Sequence, residues 1–311
     1  MTRKGWLLFA AMSVFWGIPY FFIKIAVREL DPTIVVFARV CIAAIVLVPV
    51  AIQRKALRQL RGRWLAVALL SFVQITVPFL LISFGEQHIA SSLTSLLIAS
   101  EPLLVALFAL RFDPGEQVRG LRLLGLFVGL IGVVVLLGFD VSGDAQKWLG
   151  AIMVLLATAS YASGALFIRR PSIASLPRLG VVAVECVVAT VVLLPLVVTR
   201  LPAKTPDMAV IASLIVLGLI CTALAMLTYF ALVAEVGASR GIVFTYVNPA
   251  VSVLLGVTLL SESLSAAIAV GFLLIIFGSW LSTGGTLPPL RMLLLRSRLE
   301  QRSDQDAEAV R

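Results

Sequence analysis

Apolar residues run along this chain in ten stretches of about twenty, separated by short gaps that hold most of the lysine and arginine. About 20 apolar residues is what an α-helix needs to cross a hydrocarbon core of about 30 Å. The pattern therefore predicts an all-α integral membrane protein with ten transmembrane helices. The run after Gly5 is too long for a signal peptide and reads as an uncleaved first span. Two stretches break the pattern in the same way. Ser91–Leu107 reads SSLTSLLIASEPLLVAL and Ser239–Leu255 reads SRGIVFTYVNPAVSVLL. Each opens on small polar residues, then sets a polar residue and a proline deep in an apolar run. Proline removes a backbone hydrogen bond and bends a helix. A carboxylate at mid-membrane costs about 2.5–3.5 kcal/mol on insertion scales. Glu101-Pro102 and Asn248-Pro249 stand 147 positions apart, close to half the chain.

The same spacing recurs. Pro49 and Pro195, Gly125 and Gly271, and Gly132 and Gly278 are each 146 positions apart, Gly5 and Gly150 are 145 apart, and Gly115-Glu116 answers Ser261-Glu262. These matches divide the chain into a five-helix repeat over residues 1–143, a second over 144–285, and a basic cytoplasmic tail over 286–311 with an amphipathic Arg291–Arg302 segment. Because five is odd, the second copy enters the bilayer inverted. Inverted repeats hold a central cavity near mid-membrane and rock between two packings, which is alternating access. With the N-terminus in the cytoplasm, 19 of the 25 lysines and arginines fall on the inner side, five on the outer, and Arg39 within the membrane. That bias places both termini in the cytoplasm.

Composition agrees with the pattern: 60% hydrophobic and 13% charged residues, with a mean hydropathy of +1.08. The net charge of +9 sits in the loops, so it reads as membrane orientation and not as a nucleic-acid surface. Cys41, Cys186 and Cys221 lie inside apolar runs as small buried hydrophobes. His88, the one histidine, falls at a loop. No metal or cofactor is expected. A membrane enzyme would need a deep acid pair, a metal cluster or a nucleophile with its base. ATP-driven transport would need a glycine-rich phosphate loop, which the chain lacks.

Several motifs together carry a family resemblance. They are FWGIPYFFIKIAV from Phe15 in the first span, ASSLTSLLIASEPLLVALFAL from Ala90 in the fourth, and Gly125, Gly129 and Gly132 in the fifth, within two halves of five spans. The chain resembles the EamA-type drug/metabolite transporters over nearly its whole length, with a lean toward amino-acid exporters of the YddG kind. The resemblance implies a basket of helices around a central cavity, with spans five and ten peripheral. It also implies export of amino acids or related metabolites across a bacterial-type inner membrane. Expected partners are the small-molecule substrate, the bilayer and protons as a coupling ion, with no nucleic acid, in a monomer or homodimer. Export of drugs or other metabolites is the alternative, and a channel the more distant one. Small multidrug pumps of this superfamily carry an acid in their first span, and here there is none between Gly5 and Val27.

Candidate binding residues follow from depth. Trp16, Tyr20, Gln74, Pro78, Tyr161, Tyr229, Tyr246 and Asn248 fall near mid-membrane. There polar tips need partners or water, and proline frees backbone groups. An amino-acid substrate needs donors and acceptors for its charged ends and apolar walls for its side chain. Arg39, Glu101 and Glu185 are the deep charges. Arg39 and Glu101 lie roughly 12 and 16 Å from the same membrane face, close enough to form a structural ion pair joining spans two and four. Glu185, the repeat counterpart of Arg39, is expected beside Asn248, and a proton-coupling role falls to Glu101 or Glu185. Lys24 is read as snorkelling to the interface or touching substrate.

Overall fold

The structure, a computed structural model, describes residues 2–112, 120–140, 143–237, 242–263 and 265–283. The predicted tail and Gly115-Glu116 lie outside these. Among the described residues eight helical stretches are long and apolar enough to cross a bilayer, and two shorter ones, Phe244–Leu259 and Ala266–Ser282, complete the ten spans. The second, fifth, sixth, seventh and tenth spans are single helices: Pro32–Gln53, Leu121–Asp140, Ala145–Ile168, Arg178–Val198 and Ala266–Ser282.

The other five are interrupted midway. Span one breaks between Arg3–Phe15 and Pro19–Ala26, and span four between Ser91–Ile98 and Glu101–Phe112. Span nine passes from a tight 3₁₀ turn over Ile242–Tyr246 into Asn248–Leu259. In each case proline occupies one of the first two positions of the following helix, where its missing N–H is tolerated. Spans three and eight widen into π-helix over Phe72–Thr76 and Val216–Leu224. Proline bends were expected. The widened turns of spans three and eight carry no proline signal that would place both of them, and the spacing of 146 shows only afterwards that they occupy matching positions.

The pairing of the spans has a two-fold logic. Span two packs on seven, four on nine and five on ten, each with its own repeat counterpart. Span one packs on eight, and span three on six, which is the same contact seen from the other half. The equivalence extends to single residues. Ser71 donates its hydroxyl to the Glu185 carbonyl at 2.7 Å, and Gly218 packs on the carbonyl of Arg39. Spans five and ten meet along their glycines: a Cβ at Gly125 would come within 2.6 Å of the Ser282 nitrogen, and one at Gly132 within 2.8 Å of the Gly271 carbonyl oxygen. That seam runs antiparallel, so Gly120 and Glu262 stand at opposite ends of the bundle. The second half is the first turned over.

Candidate functional site

Glu101 opens the second half of span four. Pro102 cannot donate to the Ile98 carbonyl, so the helix stops at Ile98, turns at Ala99-Ser100 and restarts at Glu101. The Ser100 hydroxyl covers the Leu97 carbonyl at 2.6 Å. The Glu101 side chain is half-buried, and no hydrogen bond or ion pair joins it to another of the described residues. Tyr20, Tyr161 and Tyr229 all lie within electrostatic range of it, and each is itself only partly buried. An acid with three phenols within electrostatic range, and no cation bonded to it among the described residues, is an acceptor waiting for a donor.

The walls around this acid come from both halves. Trp16 stacks on Tyr229 with ring centroids 5.6 Å apart, and Phe244 meets both rings edge-on at 5.4 and 6.0 Å. Phe244 is fully buried and completes a cluster with Met12 and Leu232. The Asn248 amide donates to the carbonyls of Ser13 at 3.2 Å and Phe244 at 3.0 Å, tying the break in span nine to span one. Gln74, in the π-turn of span three, packs on Gly164 and reaches the Tyr161 carbonyl at 3.5 Å. Pro78 is buried behind it.

Several expectations fail on this geometry. Arg39 does not pair with Glu101. Its Nε donates to the Thr222 hydroxyl at 2.9 Å and its guanidinium lies 3.9 Å over the Phe79 ring. The π-turn explains the choice: Thr222 bonds the Leu217 carbonyl five residues back, and its hydroxyl oxygen still faces span two as an acceptor. Glu185 is not a neighbour of Asn248, whose amide is spent on Ser13 and Phe244. One carboxyl oxygen of Glu185 is buried with no partner among the described residues, as is the hydroxyl of Thr76. Tyr246 turns away from the aromatic group, with its hydroxyl 3.4 Å from that of Thr283 at the end of span ten. Sequence reading missed Phe79, Thr222 and Phe244, and only Phe244 carried a signal, as an aromatic one turn before the Asn248-Pro249 pair that had already marked this span.

One end of the bundle is fastened between the halves. Glu262 accepts from the N–H and hydroxyl of Ser91, both at 2.8 Å, and from the Ser92 N–H at 3.0 Å. It thus caps the start of span four with an acid from the other repeat. Burial pushes its carboxyl up, but the hydrogen bonds from Ser92 and Ser91 outweigh that and hold it below the usual carboxylate range. Lys24 is half-buried near the end of its span. Its Nζ donates to the carbonyls of Glu86 at 2.5 Å and Ile89 at 2.7 Å, holding the turn between spans three and four. At the same end Arg200 pairs with Asp31 at 2.9 Å, and Glu29 accepts from the Asp207 N–H at 3.0 Å. At the opposite end, among the described residues, Lys4 and Thr2 tie to Glu235 at 3.3 and 2.7 Å.

Two inverted five-helix units whose broken helices meet at mid-depth are the build of a secondary transporter. Comparison with known proteins says the same. Residues 3–138 and 148–284 each match the EamA-like transporter family, and the chain belongs to it. The chain is 29% identical over 260 residues to the inner membrane transporter YedA of Escherichia coli (strain K12), covering 82% of both chains. It is 25% identical to the probable amino-acid metabolite efflux pump of the same strain, over 92% of this chain and 96% of that one. The transporter YvbV of Bacillus subtilis (strain 168) is 25% identical over 88% and 90%. A crystal structure at 21% identity superposes with a TM-score of 0.65 over 91% of this chain and 98% of its own, which shows the shared fold. The match in two copies is a match to the repeat itself. The protein is a multi-pass membrane transporter.

Proposed function

We propose that this transporter exports amino acids or closely related small metabolites by alternating access, with both termini in the cytoplasm. The observation that carries the reading is Glu101, a half-buried acid at a helix break with no bonded partner among the described residues, within electrostatic range of Tyr20, Tyr161 and Tyr229. Such a carboxylate suits the ammonium end of an amino acid. The phenols and Trp16 offer hydroxyl donors and apolar walls for the remainder. The name of the relative called a probable amino-acid metabolite efflux pump favours the same class. Purified protein in liposomes, screened for counterflow of labelled amino acids with and without a proton gradient, tests this. Saturable counterflow of at least one amino acid is expected. Its absence across the whole set, with transport of other metabolites or drugs retained, would transfer the site to the alternative substrate class.

A further inference from the structure

Glu86 stands one residue past the end of the third span and takes no part in the site around Glu101. Its side chain is fully buried, and neither carboxyl oxygen has a hydrogen-bond partner among the described residues. The charged groups nearest to it are all engaged elsewhere. Lys24, on span one, gives its ammonium to the carbonyls of Glu86 and Ile89. Arg39, on span two, is bonded to Thr222 and stacked on Phe79. Glu262, from the loop before span ten, is occupied by Ser91 and Ser92. Tyr20, also on span one, lies within its electrostatic range. Span six, packed against Gly85, presents Val154 and the Gly150 carbonyl, neither of which titrates.

An ionised carboxylate in this position has lost its water and gained no donor in return, which is the costly way to bury a charge. A bound proton removes the cost. We propose that Glu86 is a proton-binding site: its carboxylate takes one proton from water to become a carboxylic acid as the Glu262 end closes, and returns that proton to water when this end opens. Burial pushes the acid well above the usual carboxylate range. Lys24 opposes that push, Glu262 adds to it, and Arg39 opposes it. The geometry gives the linkage its direction. Closure favours the protonated acid, so acidification favours the clasped state and alkaline conditions loosen it. The opening step rests on the carrier reading above, whereas the titration of the clasped state does not.

The sign of the stability effect separates a proton site from a mere anchor for Lys24. A carboxyl raised in the folded state costs stability as pH rises from the ordinary carboxylate range through its own raised value. Thermal unfolding of the full-length protein in detergent, from about pH 5 to about pH 9, should show wild type losing stability across that interval. Glu86→Gln should reduce this loss and melt a few degrees above wild type at the alkaline end. Glu86→Asp, which keeps an acid there, should retain the loss with a moved midpoint. A Glu86→Gln protein that melts below wild type by the same margin at every pH overturns the proposal. Should Glu86→Gln not fold, an Asp variant with an unaltered pH curve overturns it as well. In liposomes, exchange by Glu86→Gln should lose its dependence on pH. Absence of exchange by wild type would count against the carrier reading, while the unfolding curves decide the proton site by themselves.

Discussion

At the scale of single residues, the deep charges show how little of a side chain's partner is written in the sequence. Arg39, Glu101 and Glu185 stand out because a charge in an apolar run is expensive, but depth alone left Glu101 as the natural mate of Arg39. Span eight supplied a better one, since its π-turn faces the Thr222 hydroxyl toward span two beside the Phe79 ring. With no cation bonded to it among the described residues, Glu101 is free of the structural duty that an ion pair would have imposed. Glu101→Gln is therefore expected to fold in wild-type yield and to lose at least about tenfold in substrate exchange, the scale of one charge-assisted hydrogen bond. A large loss of folded protein would restore the structural role. Arg39→Lys keeps the charge but loses the planar stack and the Nε donor. It should cost about 2–4 kcal/mol in detergent denaturation.

At the scale of elements, the ten spans, their order and the positions of the prolines were all legible, because hydropathy and proline act locally. What was not legible is that proline ends one helix and starts another. Pro19, Pro102 and Pro249 each stand at the head of a new helix, and the breaks they leave lie at mid-depth. The π-turns of spans three and eight, and the turning away of Tyr246 to Thr283, depend on packing against distant spans and so escaped a local reading. The glycine seam between spans five and ten is scaffold: a Cβ at Gly278 would collide with the backbone of Gly129. Backbone cannot swing aside as a side-chain tip can. Gly278→Ala should destabilise the protein by about 1–3 kcal/mol, seen as a lower unfolding midpoint with exchange per folded molecule little changed.

At the scale of the whole molecule, inversion of the repeat follows from the odd span count and appears in the structure as Gly120 and Glu262 at opposite ends. Membrane-impermeant thiol labelling of a variant with Cys41, Cys186 and Cys221 replaced, carrying one cysteine at either position, should mark position 262 from outside and position 120 only after permeabilisation. Labelling of both from one side would refute the inverted arrangement. The acid from Glu262 that fastens spans four and nine stays ionised through the neutral range, because its carboxyl is held below the ordinary value. Its contribution is lost only as pH falls through that lowered value, so neutral pH leaves this fastening intact and the burden of sensing falls on another group. The wide turns at 72–76 and 216–224 act on the same scale. Each accommodates one residue beyond the α-helical count, and one residue corresponds to about 100° of rotation. Passing that surplus residue along the axis lets one arm swivel on the other while the ladder of peptide bonds stays zipped. The third and eighth spans thus hold equal slack facing opposite ways, like expansion joints at the two ends of a bridge.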